Sequence, residues 1–371
     1  MNKTRQKYGW VINVHDQTLW LLKRLTFNIL AWNILVRIFL SLTYLLNPEL
    51  GISGAKIFQL FSQNKLLLTT LVSTIAVSSW LLEDVLFFSF LNKKSMGELF
   101  LLRIVFFSLM LLFIFLLISV FHYKSVTSSE EEYLHLIRLF FFNRASIYLF
   151  LTGIFSSVII NFFKALRQKI GFEKFWPFIL GRYRIPKEEN RIFVFIDLIS
   201  STNCAEQLGH KKYSYFIQEC FKYLGALEIK YNAMQYQFVG DEVVLSWPAK
   251  EKNYLKAVQF YFEYLYILKN KQSLFLKNFG IIPQFSASIN SGNVMVSEVG
   301  TVKSEIAFHG DVLNTAAGIQ KHCRNYNKPL LVTQDFAIEF KKANPEKKVL
   351  WIGEKNLSGK QYPVNIYSIE L

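Results

Sequence analysis

The sequence contains few cysteines, and their arrangement excludes two classes of protein. Only three occur in 371 residues, namely Cys204, Cys220 and Cys323, and no two of them form a CxxC pair. A small secreted protein held together by disulfides and a protein built on a structural zinc site both need more cysteines at closer spacing. We therefore expect three reduced thiols in a cytosolic compartment.

We also expect no cleavable signal peptide, because the first 25 residues are polar, aromatic and basic and contain no small-residue cleavage site. Acidic residues are scarce: 27 Asp and Glu stand against 42 Lys and Arg, which gives a net charge of +15. Such a balance often indicates a nucleic-acid partner. The strands lack the interleaved aromatic and basic residues that bind single strands, so we expect no nucleic acid.

Apolar residues, by contrast, are abundant. The chain is 52% hydrophobic with 36 Phe, and its mean hydropathy is +0.24. This composition is too apolar for an ordinary soluble protein, and a membrane-spanning helix needs about 20 apolar residues. Four stretches are long enough, at about 26–46, 66–91, 98–122 and 139–163.

The distribution of Lys and Arg predicts how these four spans are oriented. Basic residues precede the first span, separate the second from the third and follow the fourth, as with Lys7, Lys93 and Lys164. The other two loops are poorer in Lys and Arg, and one carries the acidic run SSEEEY at 128–133. Because cytoplasmic loops are the basic ones, both termini are expected in the cytoplasm. Anchoring thus explains much of the positive charge.

Charged residues inside the predicted spans allow two interpretations. Arg37, Glu83, Asp84 and Arg103 would each be costly in hydrocarbon. They either pair structurally within a four-helix bundle or form a ligand or ion sensor in the membrane.

The chain divides into a transmembrane domain at 1–165, a basic connector at 166–190 and a second domain at 191–371. In the second domain, strand-like runs alternate with helical ones, which predicts an α+β sandwich with helices over a sheet. The predicted strands are 191–197, a hairpin around Gly240, a strand pair at 283–300, 328–333 and a closing hairpin at 349–371. The predicted helices are 204–231, 252–280 and 311–326.

Two aspartates stand at positions where strands end. Asp197 closes the apolar run RIFVFID, and Asp241 lies at the tip of a hairpin in YQFVGDEVVLSW, where Gly240 tolerates a positive φ. Taken singly, each is explained as a turn or cap residue. Together they can converge on one edge of the sheet, where they would repel unless a divalent cation neutralised them. Oxygen ligands suit Mg²⁺ or Mn²⁺ bound together with phosphates.

Four segments occur in the order and spacing that class III nucleotide cyclases show, and about residues 190–371 resemble that family. The segments are FVFIDLISSTNCAEQLG, YQFVGDEVVLSW, SINSGNVMVSEVG and IAFHGDVLNTAAGIQ. The resemblance implies a cytosolic ferredoxin-like α+β cyclase domain. The N-terminal spans resemble the membrane anchors of many bacterial members, which implies a multi-pass protein of a bacterial-type inner membrane.

The resemblance also implies a reaction and its metal ligands. The chain would be an adenylate cyclase that converts ATP to cyclic AMP and pyrophosphate in a site shared by two copies in a homodimer. Asp197 and Asp241, with the backbone carbonyl of Leu198, would hold two Mg²⁺ or Mn²⁺ ions per site. From the partner subunit, Asn314 would orient the ribose, and Lys360 would contact phosphates.

The sequence departs from the family pattern at the position that binds the phosphates in the transition state. Gly318 stands where an Arg is expected, four residues after Asn314. Such an Arg can contribute several orders of magnitude in rate. Lys321 lies seven residues after Asn314, on the same helix face. It and Arg324 are the candidates to contact the same phosphates.

Two base-reading positions differ as well. Gln237 replaces the expected Lys four residues before Asp241, and Ala307 replaces the expected Asp or Thr. Gln237 can still donate and accept hydrogen bonds, and His309 is nearby, so a base pocket is retained while the preferred base stays open.

Three alternatives follow from these departures. A pseudo-cyclase would dimerise, bind nucleotide and signal without turnover. The run VGDEV also resembles the signature loop of diguanylate cyclases, although Val239 replaces its first Gly and HGDVLN has no role there. The third alternative is a nucleic-acid polymerase or a nucleic-acid binding module. Chain order suggests that the membrane domain sets the distance or rotation between two catalytic domains.

Overall fold

The computed structural model of the chain describes the backbone of residues 144–370 and scattered helical positions between residues 25 and 116. The described residues fall into two compact units, one within 18–170 and the other from Gly171 onward. The first unit contains helix α1 (Arg144–Ile170). No helix among the described residues is both long and apolar enough to cross a bilayer.

The first three predicted membrane spans are described only at scattered helical positions, and the fourth overlaps α1. The four-span domain is therefore not supported by the structure and stays a prediction from the sequence.

The second unit contains both strands and helices along its whole length. Its elements are α2 (Phe172–Ile179), β1 (Lys187–Leu198), α3 (Ser201–Phe221), α4 (Leu224–Tyr231), β2 (Met234–Val239), β3 (Glu242–Pro248), α5 (Glu251–Asn270), α6 (Gln272–Phe279), β4 (Phe285–Val299), β5 (Glu305–His309), α7 (Asp311–Gln320), β6 (Leu330–Thr333), α8 (Gln334–Ala343), β7 (Lys348–Lys355) and β8 (Val364–Glu370).

These strands form one sheet in the order β2-β3-β1-β4-β6-β8-β7, and β5 pairs with the end of β4. The central strand β1 is antiparallel to both of its neighbours, β3 and β4. The first part of the unit thus runs strand, helices, strand, strand, helices, strand, with β1 between the third and fourth strands. This is the ferredoxin-like arrangement, so the predicted α+β class of the domain is confirmed.

Alternating residues of β1 divide the core into two layers, because successive side chains of a strand point to opposite faces. Ile192, Val194 and Ile196 are buried on the first face, together with residues of α3 to α6 and α8. Phe193 and Phe195 are buried on the second face, together with residues of β5 and α7. The candidate site lies at the end of β1, on this second face.

The predicted strand pair at 283–300 is wrong, since β4 is a single strand of 15 residues. Gly292, at the middle of this strand, pairs with Arg191 in the ladder between β1 and β4. A Cβ atom at Gly292 would lie 2.9 Å from Cγ2 of Val312 in α7. The glycine therefore permits close packing of a helix on the strand.

The segment predicted as a connector, 166–190, contains the end of α1, all of α2 and the first residues of β1. The helix predicted at 311–326 ends at Gln320, and turns occupy the residues from Lys321 to Asn327.

Candidate functional site

Asp197 is brought to the site by the register of β1. It lies opposite Glu242 of β3 and opposite Ser286 of β4. Since Phe195 belongs to the second face, Asp197 two residues later points to that face as well. Directly opposite residues of an antiparallel pair have Cβ atoms about 4.5–5.5 Å apart. Asp197 and Glu242 are therefore neighbours, while Leu198 is buried in the first layer.

Asp241 lies beside this pair because the hairpin between β2 and β3 is as tight as predicted. Val239 pairs with Glu242, which leaves a loop of two residues, and Gly240 has a φ of +63°. A glycine with positive φ at the first loop position fits the twist of a two-residue hairpin. Asp241 and Glu242 are both half-buried at this tip. Three carboxylates, those of Asp197, Asp241 and Glu242, form what we call the acid cluster.

The electrostatics of the acid cluster favour a cation. Burial raises the pKa of Asp197 to about 6, with a further contribution from the charge of Asp241 and opposition from a backbone hydrogen bond at Leu198. Burial also raises the pKa of Glu242 to about 7, reinforced by Asp197 and Asp241 and opposed by Lys321. The negative charge of Asp241 thus makes it harder for Asp197 and Glu242 to ionise.

The donor set of the acid cluster fits a hard divalent ion. It offers carboxylate oxygens and the carbonyl of Leu198, the ligands that Mg²⁺ and Mn²⁺ accept. Within the part of the chain that is described, no group of three or more His, Cys, Asp or Glu side chains is close enough together to hold a metal unaided. Further ligands would have to come from a bound nucleotide and water.

The first turn of α3 begins directly after the acid cluster. Its cap residue, Ser200, has a φ of +60° and makes no side-chain capping bond. The first N–H groups of a helix have no intrahelical partner and carry partial positive charge. The start of α3 can therefore accept an anion next to the acid cluster.

Two basic side chains from the turn after α7 reach this region of their own subunit. Nη2 of Arg324 donates to Oγ of Ser200 at 2.8 Å. The positive charge of Lys321 opposes the rise in the pKa of Glu242 that burial causes, so this ammonium lies within electrostatic reach of the acid cluster. Both candidate phosphate contacts therefore lie beside Asp197 of the same chain.

Helix α7 is fixed on β4 by three side chains of the strand and the helix. Nε2 of Gln320 donates to the carbonyl and Oγ of Ser286, at 2.9 and 3.0 Å. Ser288 and Asn290 donate to carbonyls nearer the start of the helix. Since Ser286 is opposite Asp197, the C-terminal end of α7 is the end nearest the acid cluster.

Asn314 is exposed and lies six residues before Gln320, about 9 Å along the helix axis at about 1.5 Å per residue. The structure therefore does not bring Asn314 into the acid cluster of its own chain.

Gly318 lies against the loop between β7 and β8. A Cβ atom there would approach Cδ1 of the buried Leu357 to 3.1 Å. This contact explains the residue on packing grounds, since the glycine lets the loop approach α7. An arginine at 318 would require Leu357 to move by a few tenths of an ångström.

Lys360 follows in the same loop and forms an ion pair with Asp311 at the start of α7. Oγ1 of Thr315 also donates to the carboxylate of Asp311, at 3.3 Å. Lys360 is thus close to Asn314 along α7 and distant from the acid cluster. To contact a phosphate it must leave Asp311 or share it.

The base-reading candidates lie on two short strands, β2 and β5. Gln237 is exposed on β2, Ala307 is opposite Ser297 on β5, and His309 closes β5. These strands are not paired, but the ring centroids of Tyr236 and Phe308 are 4.9 Å apart. The two segments are therefore adjacent in space.

Sequence reasoning missed two groups at the site. Glu242 was not predicted as a metal ligand, although its register opposite Asp197 follows once the hairpin is aligned with β1. Tyr213 of α3 is also near, since burial and then the charge of Asp241 raise the pKa of its hydroxyl to about 12.

Comparison with known proteins agrees with the resemblance seen in the sequence. No family model matches the chain. Adenylate cyclase 2 of Rhizobium meliloti (strain 1021) is 29% identical over 177 residues, which cover 47% of this chain and 49% of that protein. The chain thus spans about half the length of this curated relative, and the match supports a purine nucleotide cyclase domain within about half of the chain.

Several solved structures are similar to about half of the chain. The adenylyl cyclase CyaB from P. aeruginosa is 17% identical with a TM-score of 0.45, covering 50% of this chain and 95% of that one. A bacterial light-regulated adenylyl cyclase is 16% identical with a TM-score of 0.49, covering 57% and 61%. The guanylyl cyclase Cya2 is 16% identical with a TM-score of 0.42, covering 49% and 92%.

Proposed function

We propose that the chain is a nucleotide cyclase that converts ATP to cyclic AMP and pyrophosphate at a site shared by two copies. The observation that supports this most is the acid cluster beside the open start of α3. Carboxylates for divalent ions and free N–H groups for phosphates lie side by side there, as a metal-bound triphosphate requires. The reaction joins the ribose 3′ oxygen to the α-phosphorus, breaks the bond to pyrophosphate and releases the hydroxyl proton.

Asp197, Asp241 and the carbonyl of Leu198 are the groups that would hold two Mg²⁺ or Mn²⁺ ions. When bound, such ions lower the pKa of the attacking hydroxyl and neutralise charge on the leaving pyrophosphate. The start of α3, Arg324 and Lys321 would stabilise the negative charge that remains on the phosphates. A guanidinium has five N–H donors, so Arg324 can bind a phosphate oxygen while it stays bonded to Ser200.

A second copy of the chain is needed because one subunit does not gather all the predicted residues. The acid cluster, Lys321 and Arg324 form one half-site at the C-terminal end of α7. Asn314 and Lys360 form the other, exposed half-site nearer the start of that helix. In a homodimer with twofold symmetry, each acid cluster can face the partner subunit's Asn314 and the partner subunit's Lys360. The ribose would then be oriented across the interface.

Base recognition would involve Gln237 of β2 with Ala307 and His309 of β5. ATP is the proposed substrate because the curated relative is named an adenylate cyclase. Gln237 can serve either purine, since its amide both donates and accepts.

A pseudo-cyclase is the second candidate function, and two observations favour it. The arginine expected at position 318 is replaced by glycine. The side chain of Leu357 packs against this glycine and takes the space that an arginine would need. Lys360 is neutralised by Asp311. Such a chain would dimerise and bind nucleotide without turnover.

The two candidates are separated by an assay of the purified full-length chain with Mn²⁺ and each of the four nucleoside triphosphates. We expect cyclic AMP from ATP, and its loss by about three orders of magnitude in Asp197→Asn and Asp241→Asn, since several kcal/mol of metal stabilisation disappear. Glu206→Gln, an exposed change on α3, is the matched control. Nucleotide binding without any cyclic product would favour the pseudo-cyclase, and a cyclic or linear dinucleotide would favour the diguanylate cyclase alternative.

The membrane anchor and the inner-membrane location are proposed from the sequence alone, as is control of the distance between two catalytic domains. Fractionation of cells that express the full chain tests the location. We expect the chain to sediment with membranes and to resist extraction by alkaline carbonate, and release by carbonate would contradict the anchor.

A further inference from the structure

Strand β2 contains an irregularity that involves the residue next to Gln237. Its pairing with β3 shifts between Gln235 and Gln237, so that Tyr236 is an extra residue. The extra residue of a β-bulge is left unpaired by the ladder. Nζ of Lys174 donates to the carbonyl of Tyr236 at 2.7 Å and supplies the missing partner.

Lys174 comes from α2, outside the sheet, and its head group is held close to Tyr236. The ammonium is also 5.5 Å from the centroid of the Tyr236 ring, within the range of a cation–π contact. Burial lowers the pKa of Lys174, partly opposed by the charge of Glu305. A half-buried ammonium that lacked this carbonyl would be left with few partners, so the bond holds α2 and β2 together.

The side chain of Tyr236 connects this bulge to β5. Its ring meets the ring of Phe308 edge to face, and its hydroxyl accepts a hydrogen bond from the backbone N–H of Phe308 at 3.4 Å. Phe308 lies between the two base-reading candidates of β5, and Tyr236 immediately precedes the one on β2. No ladder pairing joins the two strands.

We propose that Lys174 and Tyr236 are positioning residues that fix the distance between Gln237 and the end of β5, and thereby set which base the site accepts. The inference rests on the proposed function, because it takes Gln237, Ala307 and His309 to line the base. Tyr236 supplies the link across the two strands, and Lys174 fixes its backbone. Neither residue is expected to touch the phosphates.

The test compares Lys174→Met in the full-length chain with Lys269→Met, an equivalent change at an exposed lysine of α5. We expect amide exchange in 234–239 and 305–309 to accelerate about tenfold in Lys174→Met, the factor that loss of a charge-assisted hydrogen bond produces. We expect the ratio of kcat/KM for ATP to that for GTP to change by a similar factor, through KM more than kcat. Lys174→Arg, which retains a donor, should restore both.

Each outcome of this test contradicts a different part of the proposal. Unchanged exchange in Lys174→Met overturns the positioning role, and altered exchange with an unchanged preference between ATP and GTP overturns the role in base selection. Tyr236→Phe, which keeps the ring, should alter the preference less than Lys174→Met does. If the unmodified chain binds neither ATP nor GTP, the proposed function is wrong, and the role in base selection is wrong with it. The amide exchange rates would still show whether Lys174 and Tyr236 hold β2 and β5 together.

Discussion

Arg324 offers the sharpest prediction, because the structure places it in a different half-site from Asn314. Its guanidinium is exposed to solvent and donates to Ser200. An arginine can raise a rate by several orders of magnitude, but only where water is excluded, which is not the case here. One hydrogen bond to a charged group contributes about 1.5–3 kcal/mol. We therefore expect Arg324→Ala to lower kcat about 10-fold to 100-fold with little change in fold.

Co-expression of two differently tagged variants tests which subunit the arginine serves. Arg324→Ala mixed with Asn314→Ala should recover activity, because a mixed dimer contains one site with an intact acid cluster, arginine and asparagine. With random pairing, half of the dimers contain one copy of each variant, and one of the two sites in such a dimer is intact. Activity is therefore expected to recover to about a quarter of the unmodified rate. Arg324→Ala mixed with Asp197→Asn should recover nothing, since both changes fall in the same half-site.

The opposite pattern would refute this reasoning. If Arg324→Ala and Asp197→Asn complement each other, the arginine acts across the interface. If no pair of variants complements, including Asp197→Asn with Asn314→Ala, the site is not shared between two copies.

Three further predictions concern single positions. Gly318→Arg should raise kcat less than about tenfold, because Arg324 already supplies a cation; a gain of about a thousandfold would show that the missing arginine limits the reaction. Asp311→Asn should lower KM for ATP about twofold to fivefold by releasing Lys360 from an ion pair that contributes about 0.2–1 kcal/mol, and an unchanged KM would remove Lys360 from the site. Glu228→Gln should raise the thermal midpoint of the C-terminal unit at pH 8 but not at pH 4.5, and equal shifts at both pH values would contradict the role of ionisation.

The sign of the Glu228 prediction follows from its pKa. Burial raises the pKa to about 7 in the folded chain, above the ordinary value of 4.5, against a smaller effect of Lys174. The folded state therefore holds the proton more tightly than the unfolded state. The contribution of Glu228 to stability is therefore greatest below pH 4.5 and falls as the pH rises towards 7, by up to about 3 kcal/mol. Glutamine removes that loss.

Local patterns predicted much of the second unit. The apolar run that ends at Asp197 and the Gly-Asp turn both carry their signals within a few residues, and both were placed correctly. The strand pair predicted at 283–300 was wrong, because Gly292 lies within one continuous strand, at the point where α7 approaches it through Val312. The Arg324–Ser200 bond joins residues 124 positions apart, and no local pattern predicts it. The bulge at Tyr236 is likewise set by contacts with α2 and β5.

The central claim is that Asp197 and Asp241 together bind a divalent ion with the triphosphate. Its most direct test is the affinity for Mn²⁺, measured by electron paramagnetic resonance with a non-cyclisable ATP analogue, for the full-length chain and for the Asp197→Asn/Asp241→Asn double variant. We predict that the unmodified chain binds Mn²⁺ together with the analogue and that the double variant loses this binding. Equal Mn²⁺ affinity in the two proteins would contradict the claim.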